Sequence, residues 1–146
     1  MKKIYTVIAI SLTMAFTMVA LQAQIPDIKG GAKVTGINAS LAKLKVKFSH
    51  DSKVLPEAES TEKLIRSIAS TINKITKSIP AGYSLYVIGH ASEPGTDEYN
   101  KYLGTMRAKE IRKRLNKAGV ANNVLKIKSN GEAENKRAVT FKVLKD

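Results

Sequence analysis

The residues best suited to chemistry lie in one loop, which follows an apolar stretch and leads toward a basic helix. This turn-rich loop contains His90, Ser92, Glu93 and Asp97, and Arg107 follows at its far end. An arginine can hold an anionic group through two parallel hydrogen bonds. The pattern therefore indicates a binding site built on Arg107. One charged side chain that would complete such a site is missing from the loop.

A hydrolase is the first alternative, because His90, Ser92 and Glu93 offer a base, a nucleophile and an acid. Catalytic triads are assembled from separate segments of a fold, and the sequence has no Gly-x-Ser-x-Gly motif. It also lacks a glycine-rich phosphate loop, a nucleotide fingerprint and a metal motif, since His50 and His90 are its two histidines. We therefore predict a non-enzymatic protein with no cofactor and no metal.

The first residues predict export. Lys2 and Lys3 form a positive start, residues 4–21 are apolar, and a small residue, Ala23, stands at a suitable cleavage position. These features are typical of a secretory signal peptide over residues 1–23. An uncleaved membrane anchor is the alternative, because the apolar stretch approaches the length of a spanning helix.

Composition limits what the exported chain can be. The 146 residues include no cysteine, which excludes disulfides, thiolate catalysis and the lipid attachment used by bacterial lipoproteins. The formal charge of +13 falls by two to +11 once the two lysines of the signal peptide are removed. Such a surface attracts anions, and export removes nucleic acid from the expected partners. Residues 24–40 are polar and glycine-rich, which predicts a linker or loosely docked arm before one domain at 41–146.

Periodicity predicts the first half of that domain. Apolar residues alternate with lysines from Leu41 to Phe48, as in a strand with one buried face. Pro56 suits the first turn of a following helix, which is expected to end before Pro80. One helical stripe of this segment is apolar: Leu64, Ile65, Ile68, Ile72, Ile75 and Ile79.

The second half begins with an apolar strand at 83–89, whose nearly continuous apolar character predicts a central position covered on both faces. A helix is predicted from about Gly104 to Ala118, with Arg107 in its first turn and Gly119 as its stop. Two strands follow, at 124–128 and 138–143. The order β-α-β-α-β-β predicts an α+β fold, a mixed sheet with helices on one face.

From about Leu44 to Val143 the chain resembles the peptidoglycan-binding domain of OmpA-like outer-membrane proteins and peptidoglycan-associated lipoproteins. The order and spacing of several elements carry this resemblance: Gly89, Gly95, Tyr99-Asn100, Leu103, Arg107-Ala108, Gly119, Gly131-Glu132 and Asn135-Lys136-Arg137-Ala138-Val139. Tyr99 and Leu103 are expected in the core.

The resemblance implies a site for the diaminopimelate of the peptidoglycan stem peptide, gripped by an aspartate and by an arginine fifteen residues later. The arginine maps onto Arg107, but Ser92 stands at the aspartate position, within Ala91-Ser92 instead of Thr-Asp. Lys136 also replaces the leading arginine of the closing Arg-Arg pair. A hydroxyl binds an ammonium group less strongly than a carboxylate does, which predicts weakened affinity.

Other candidate site residues follow from the same resemblance. Glu93 or Asp97 would supply the missing negative charge, although either could instead pair with Arg107 and fasten the loop. Asn100 is expected to bond loop backbone more than ligand. Arg137 would add positive potential or protect a sheet edge.

Three functions remain open. The first is non-covalent peptidoglycan binding in the periplasm, in association with the outer membrane or cell wall. The second is a degenerate module of the same fold that binds an envelope protein. The third is peripheral attraction to anionic lipid or lipopolysaccharide through a basic cluster: Arg112, Lys113, Arg114 and Lys117.

Overall fold

The structure, a computed structural model, describes residues 28–131 and 137–146, and residues 32–146 form one compact unit. The predicted signal peptide and Lys136 lie outside the described residues. The helices are α1 (Ile28–Leu41), α2 (Glu59–Thr76), α3 (Asp97–Lys117) and a short 3-10 helix at Asn122–Val124. The strands are β1 (Lys45–Lys47), β2 (Tyr83–Gly89), β3 (Leu125–Ser129) and β4 (Ala138–Lys145).

The four strands form one mixed sheet in the order β1-β4-β2-β3. Strand β2 pairs in parallel with β3 and antiparallel with β4, and β4 pairs antiparallel with β1. The α+β class, the mixed sheet and the central position of β2 are therefore confirmed. The crossover from β2 to β3 contains α3, as a parallel connection requires.

The core lies on one face of this sheet. Leu85 and Val87 of β2 stand in register with Val143 and Phe141 of β4, and all four are buried. Strand alternation sends these side chains to the same face. Buried residues of the long helices complete this core: Ile65, Ile68 and Ile72 of α2, and Ile111 and Leu115 of α3.

The opposite face is not covered by α2 and α3. Ser84 and Tyr86 point there from β2 and are half-buried, beside exposed Lys126 of β3 and Lys142 of β4. The prediction that both faces of β2 are covered was therefore wrong at these positions. Neighbouring strands contribute lysines at this face instead of a second apolar layer.

Helix α1 corrects the prediction of a linker or arm at 24–40 over residues 28–40, the part of that range that the structure describes. Its glycines and polar residues disfavour a helix in isolation, but Val34, Ile37 and Leu41 share one face and are buried in the core. The Asn38 side chain also donates to the Val143 carbonyl (3.0 Å) and accepts from its N–H (2.7 Å). Tertiary contacts thus stabilise a helix that composition disfavours.

Helix α3 begins seven residues earlier than predicted, at Asp97 instead of Gly104. Thr96 caps it, since its hydroxyl accepts from the N–H of Tyr99 at 3.2 Å. Arg107 therefore lies roughly three turns inside the helix, and the free N–H groups of the helix start are not available beside it. Gly119, with φ of 94°, ends the helix as predicted.

The other boundaries also differ from the pattern. Strand β1 is only three residues long. The alternating pattern began at Leu41, but that residue is the last of helix α1. Helix α2 starts at Glu59, so Pro56 precedes it and does not occupy its first turn. Within the described residues, no helix is long and apolar enough to cross a membrane.

Candidate ligand-binding site

The site rests on a close contact between β2 and α3. A Cβ atom on Gly89 would lie 1.8 Å from the Gly104 carbonyl oxygen, and one on Gly104 would lie 2.8 Å from the Gly89 oxygen. Both positions therefore require glycine. This contact brings the third turn of α3 directly behind the loop that leaves β2.

Arg107 is fully buried, and several internal acceptors surround its guanidinium group. Its Nε donates to the Ser52 carbonyl at 2.7 Å, and Nη1 donates to the His90 carbonyl at 3.0 Å. Nη2 donates to Glu93 Oε1 at 3.0 Å and, at 3.4 Å, to the Ser49 carbonyl. The guanidinium thus joins the segment after β1 to the segment after β2.

The second charged group of the site is the Glu93 carboxylate, whose side chain is 3% exposed. While Oε1 accepts from Arg107, Oε2 lies 3.0 Å from His50 Nε2. The His50 side chain is 65% exposed, so one face of the carboxylate borders a group that solvent reaches. This ion pair matches one of the two alternatives predicted from the sequence, in which Glu93 pairs with Arg107 and fastens the loop.

Asn100 fixes Glu93 in place. Its Oδ1 accepts from the Glu93 N–H at 2.9 Å, and its Nδ2 donates to the Glu93 carbonyl at 3.0 Å. The side chain is fully buried and both amide groups are used. The expectation that Asn100 bonds loop backbone is confirmed.

The other predicted site residues lie around this pair. Ser92 is half-buried, next to Glu93, and its hydroxyl has no hydrogen-bond partner among the described residues. Asp97 is exposed in the first turn of α3. Arg137 is exposed with φ of 54°, and its carbonyl accepts from the N–H of Phe48, whose ring lies 5.5 Å from the Arg107 guanidinium.

One residue at the rim, Tyr99, differs from prediction. Leu103 is buried, as predicted, but Tyr99 is 38% exposed and its hydroxyl donates to the Asp51 carboxylate. This hydrogen bond raises the pKa of Tyr99. The aromatic ring of Tyr99 led to the prediction of a core position, whereas its hydroxyl group bonds to Asp51. No sequence pattern relates Asp51 to this loop.

The His90 side chain contacts β4. Its Nε2 lies 2.8 Å from the Thr140 hydroxyl, on β4, and Nδ1 is buried without a partner in the described structure. Burial, together with the positive charge of Lys45, lowers the pKa of His90, which favours the neutral ring. Among the described hydrogen bonds, none joins His90 to Ser92.

The basic cluster on α3 is smaller than the sequence suggests. Arg114 donates to Glu110 at 2.8 Å, to Glu62 at 2.7 Å and to the Leu55 carbonyl at 3.0 Å. Its charge is therefore used to join α2 to α3. This arrangement weakens the case for an anionic lipid site on the helix.

The chain folds as a four-stranded mixed sheet with α2 and α3 packed on one face, and Arg107 lies buried behind the loop after β2. The OmpA family model matches residues 47–143, and the chain belongs to the OmpA family. No curated protein sequence shows a significant match.

Solved structures with the same fold include the peptidoglycan-associated lipoprotein from Burkholderia pseudomallei. It is 23% identical with a TM-score of 0.58, over 77% of this chain and 99% of that one. The OmpA-like domain of FopA1 from Francisella tularensis is 22% identical with a TM-score of 0.52, over 69% and 71%. An outer membrane protein from Borrelia burgdorferi is 22% identical with a TM-score of 0.53, over 68% and 84%. At these identities the likeness shows the fold alone.

Proposed function

We propose that this protein is an exported, non-catalytic binding protein that attaches non-covalently to peptidoglycan through the diaminopimelate of the stem peptide. Its place is the periplasm, against the outer membrane or cell wall, after removal of residues 1–23. One observation carries the proposal: a buried arginine, Arg107, lies beside a carboxylate in a chain of the OmpA family.

The ligand carboxylate binds Arg107 in this proposal. Of the four acceptors around the guanidinium, the Ser49 carbonyl is the most distant, at 3.4 Å from Nη2. A hydrogen bond of that length is weak and is readily exchanged for a charged oxygen. Loss of the Ser49 contact then opens the segment after β1 and gives the ligand access to the guanidinium.

The ligand ammonium binds Glu93. Oε1 of this carboxylate stays on Arg107, while Oε2 exchanges His50 for the ligand. His50 is exposed and can turn into solvent without leaving a buried group unpaired. Glu93 thereby supplies the charge that Ser92 lacks, and the Ser92 hydroxyl adds a neutral acceptor beside it. Asn100 keeps Glu93 in position, while Asp97 and Arg137 adjust the potential at the rim.

Co-sedimentation with purified sacculi, with and without free diaminopimelate, tests this function. We expect the protein to sediment with sacculi and free diaminopimelate to release it. Glu93→Gln keeps the shape of the side chain but removes its charge, so sedimentation should fall about tenfold. Glu59→Gln, an exposed carboxylate on α2, is the matched control and should bind as the parent does.

Two further variants separate the roles of the charges. Ser92→Asp should strengthen binding, and Arg107→Ala should abolish it, provided that circular dichroism shows both variants folded. Sedimentation that is absent in the parent, or unchanged in both Glu93→Gln and folded Arg107→Ala, would contradict the proposal.

A second candidate function is a module that binds an envelope protein. The observation that favours it is the internal use of Arg107, since each of its three guanidinium nitrogens donates to an acceptor within the chain. An arginine bonded in this way stabilises the fold instead of binding an amino acid, as expected of a domain that has lost its ligand pocket. No sedimentation with purified sacculi, with or without free diaminopimelate, would favour this candidate.

A further inference from the structure

The face of the sheet opposite the core contains a hollow of about 560 Å³. Its walls come from β2, β3 and β4, with the end of α1 at one side. Residues that matter for ligand chemistry include Ile88, His90, Lys128, Asn130, Thr140 and Lys142. This volume suits a small organic ligand rather than a single ion.

The hollow is positively charged. Lys128 and Lys142 line it, and among the residues that the structure describes no acidic side chain lines it. In the described structure neither lysine forms an ion pair, whereas Lys126 on the same face pairs with Asp146 at 2.6 Å. Lys45 adds positive potential near His90. Two unpaired ammonium groups at one hollow favour an anion.

His90 is a second, independent sign of a ligand. The residue is 4% exposed, and Nδ1 is a buried polar atom without a partner in the described structure. Buried polar atoms are normally satisfied, so an orphan beside a hollow calls for an explanation. If the Thr140 hydroxyl donates to Nε2, the neutral ring carries its proton on Nδ1 and can donate it to an anion.

We propose that this hollow binds a phosphate monoester, carried either on a soluble sugar or on a lipid headgroup. Lys128 and Lys142 bind the phosphate oxygens, as lysine ammonium groups commonly do. His90 Nδ1 donates to a third oxygen after a small shift of the ring, and Asn130 borders the polar part. Ile88 offers an apolar surface to the body of the ligand.

This site is distinct from the proposed peptidoglycan site. His90 connects the two only through its backbone, because its carbonyl accepts from Arg107 while its side chain lines the hollow. Side-chain variants at the hollow therefore leave the acceptors of Arg107 in place. Failure of one proposal leaves the other intact, because sacculus binding and phosphate binding are measured separately.

Titration followed by nuclear magnetic resonance tests the proposal, with glucose 1-phosphate as the soluble probe and glucose as the uncharged control. We expect saturable shifts of the Lys128 and Thr140 amides with glucose 1-phosphate and none with glucose. The double variant Lys128→Ala/Lys142→Ala should weaken binding about tenfold or more. Lys113→Ala/Lys117→Ala removes the same charge from exposed positions of α3 and should keep the parent affinity.

His90→Gln separates the two ring nitrogens. Its amide can reach Thr140 as Nε2 does, but no atom replaces Nδ1, so the variant should fold and bind several-fold more weakly. Vesicles of phosphatidylcholine with phosphatidic acid give the lipid source. Binding to these vesicles alone assigns the phosphate to a headgroup, and binding to glucose 1-phosphate assigns it to a sugar. No saturable binding to either probe, or equal weakening by the two double variants, overturns the proposal.

Discussion

Glu93 Oε1 lies 3.0 Å from Arg107 Nη2, and both side chains are almost completely buried. The pair connects the loop after β2 to the third turn of α3, and the carbonyls of Ser49 and Ser52 extend it to the segment after β1. Two charges at such depth are stable only while each keeps its partner. The pair therefore supports the loop in the absence of ligand, and it limits which variants can report on binding.

Removal of the guanidinium should destabilise the protein strongly. Arg107→Ala leaves the Glu93 carboxylate and several carbonyls without a buried donor, which should lower the free energy of unfolding by about 3–5 kcal/mol. Urea unfolding measures this loss. The matched control is Arg112→Ala, on the same helix but partly exposed, which should change stability by about 0.5 kcal/mol or less. Equal stabilities for the two variants would contradict a structural role for Arg107.

The sequence predicted part of this candidate site because Glu93, Asn100 and Arg107 lie on one continuous segment. It did not predict the contribution of the segment after β1, from which Ser49, His50 and Ser52 reach the pair. Arg107 stood out as the arginine at the end of the loop, and the resemblance implied the roles of Arg107 and Ser92 and included Asn100 among its elements. It did not decide whether Glu93 would pair with Arg107. That contact depends on how Asn100 holds the loop backbone and on a β2–α3 approach that two glycines permit.

The main error in secondary structure has a different cause. Residues 28–41 are poor helix formers, and the helix exists because three apolar side chains and Asn38 find partners far along the chain. The composition of a segment does not predict contacts with residues far along the chain. By contrast, β2 was predicted at its observed bounds, since its apolar run is continuous and ends at Gly89.

The contact between β2 and α3 should make Gly89 irreplaceable. In Gly89→Ala the new methyl group would overlap the Gly104 carbonyl, so the helix must move and stability should fall by about 3 kcal/mol or more. Gly36→Ala is the matched control, because a Cβ atom added at this position of helix α1 would meet no other atom within 4 Å. There alanine should raise stability by about 0.5–1 kcal/mol. Thermal unfolding should thus move in opposite directions, and a shared direction would refute the packing argument.

Asn38 should contribute measurably to stability through the edge of β4. Strand β1 pairs with residues 138–140, and Asn38 satisfies both backbone groups of Val143 beyond that point. Asn38→Ala leaves these partly buried groups unpaired, at a cost of about 1–3 kcal/mol in urea unfolding. Asn73→Ala removes one exposed bond, to the Gly119 carbonyl, and should have little effect. An equal, small loss for both would show that water replaces the Asn38 amide without penalty.

His90 should make stability depend on pH in the weakly acidic range. Burial and Lys45 lower its pKa in the folded protein, so the unfolded chain, with a histidine pKa of about 6.5, takes up the proton first. Stability should therefore fall as the pH drops below about 6.5, by at most about 1.4 kcal/mol per pH unit for this one group, until the folded protein is also protonated.

Urea unfolding at about pH 7.5 and about pH 5.5 measures this effect in the parent and in His90→Gln, which removes the titration. The parent should lose more stability than the variant on acidification, whatever their difference at neutral pH. His50→Gln, at the exposed histidine beside Glu93, controls for the other imidazole. Parallel losses in the parent and in His90→Gln would show that His90 titrates in the folded protein as it does in the unfolded chain.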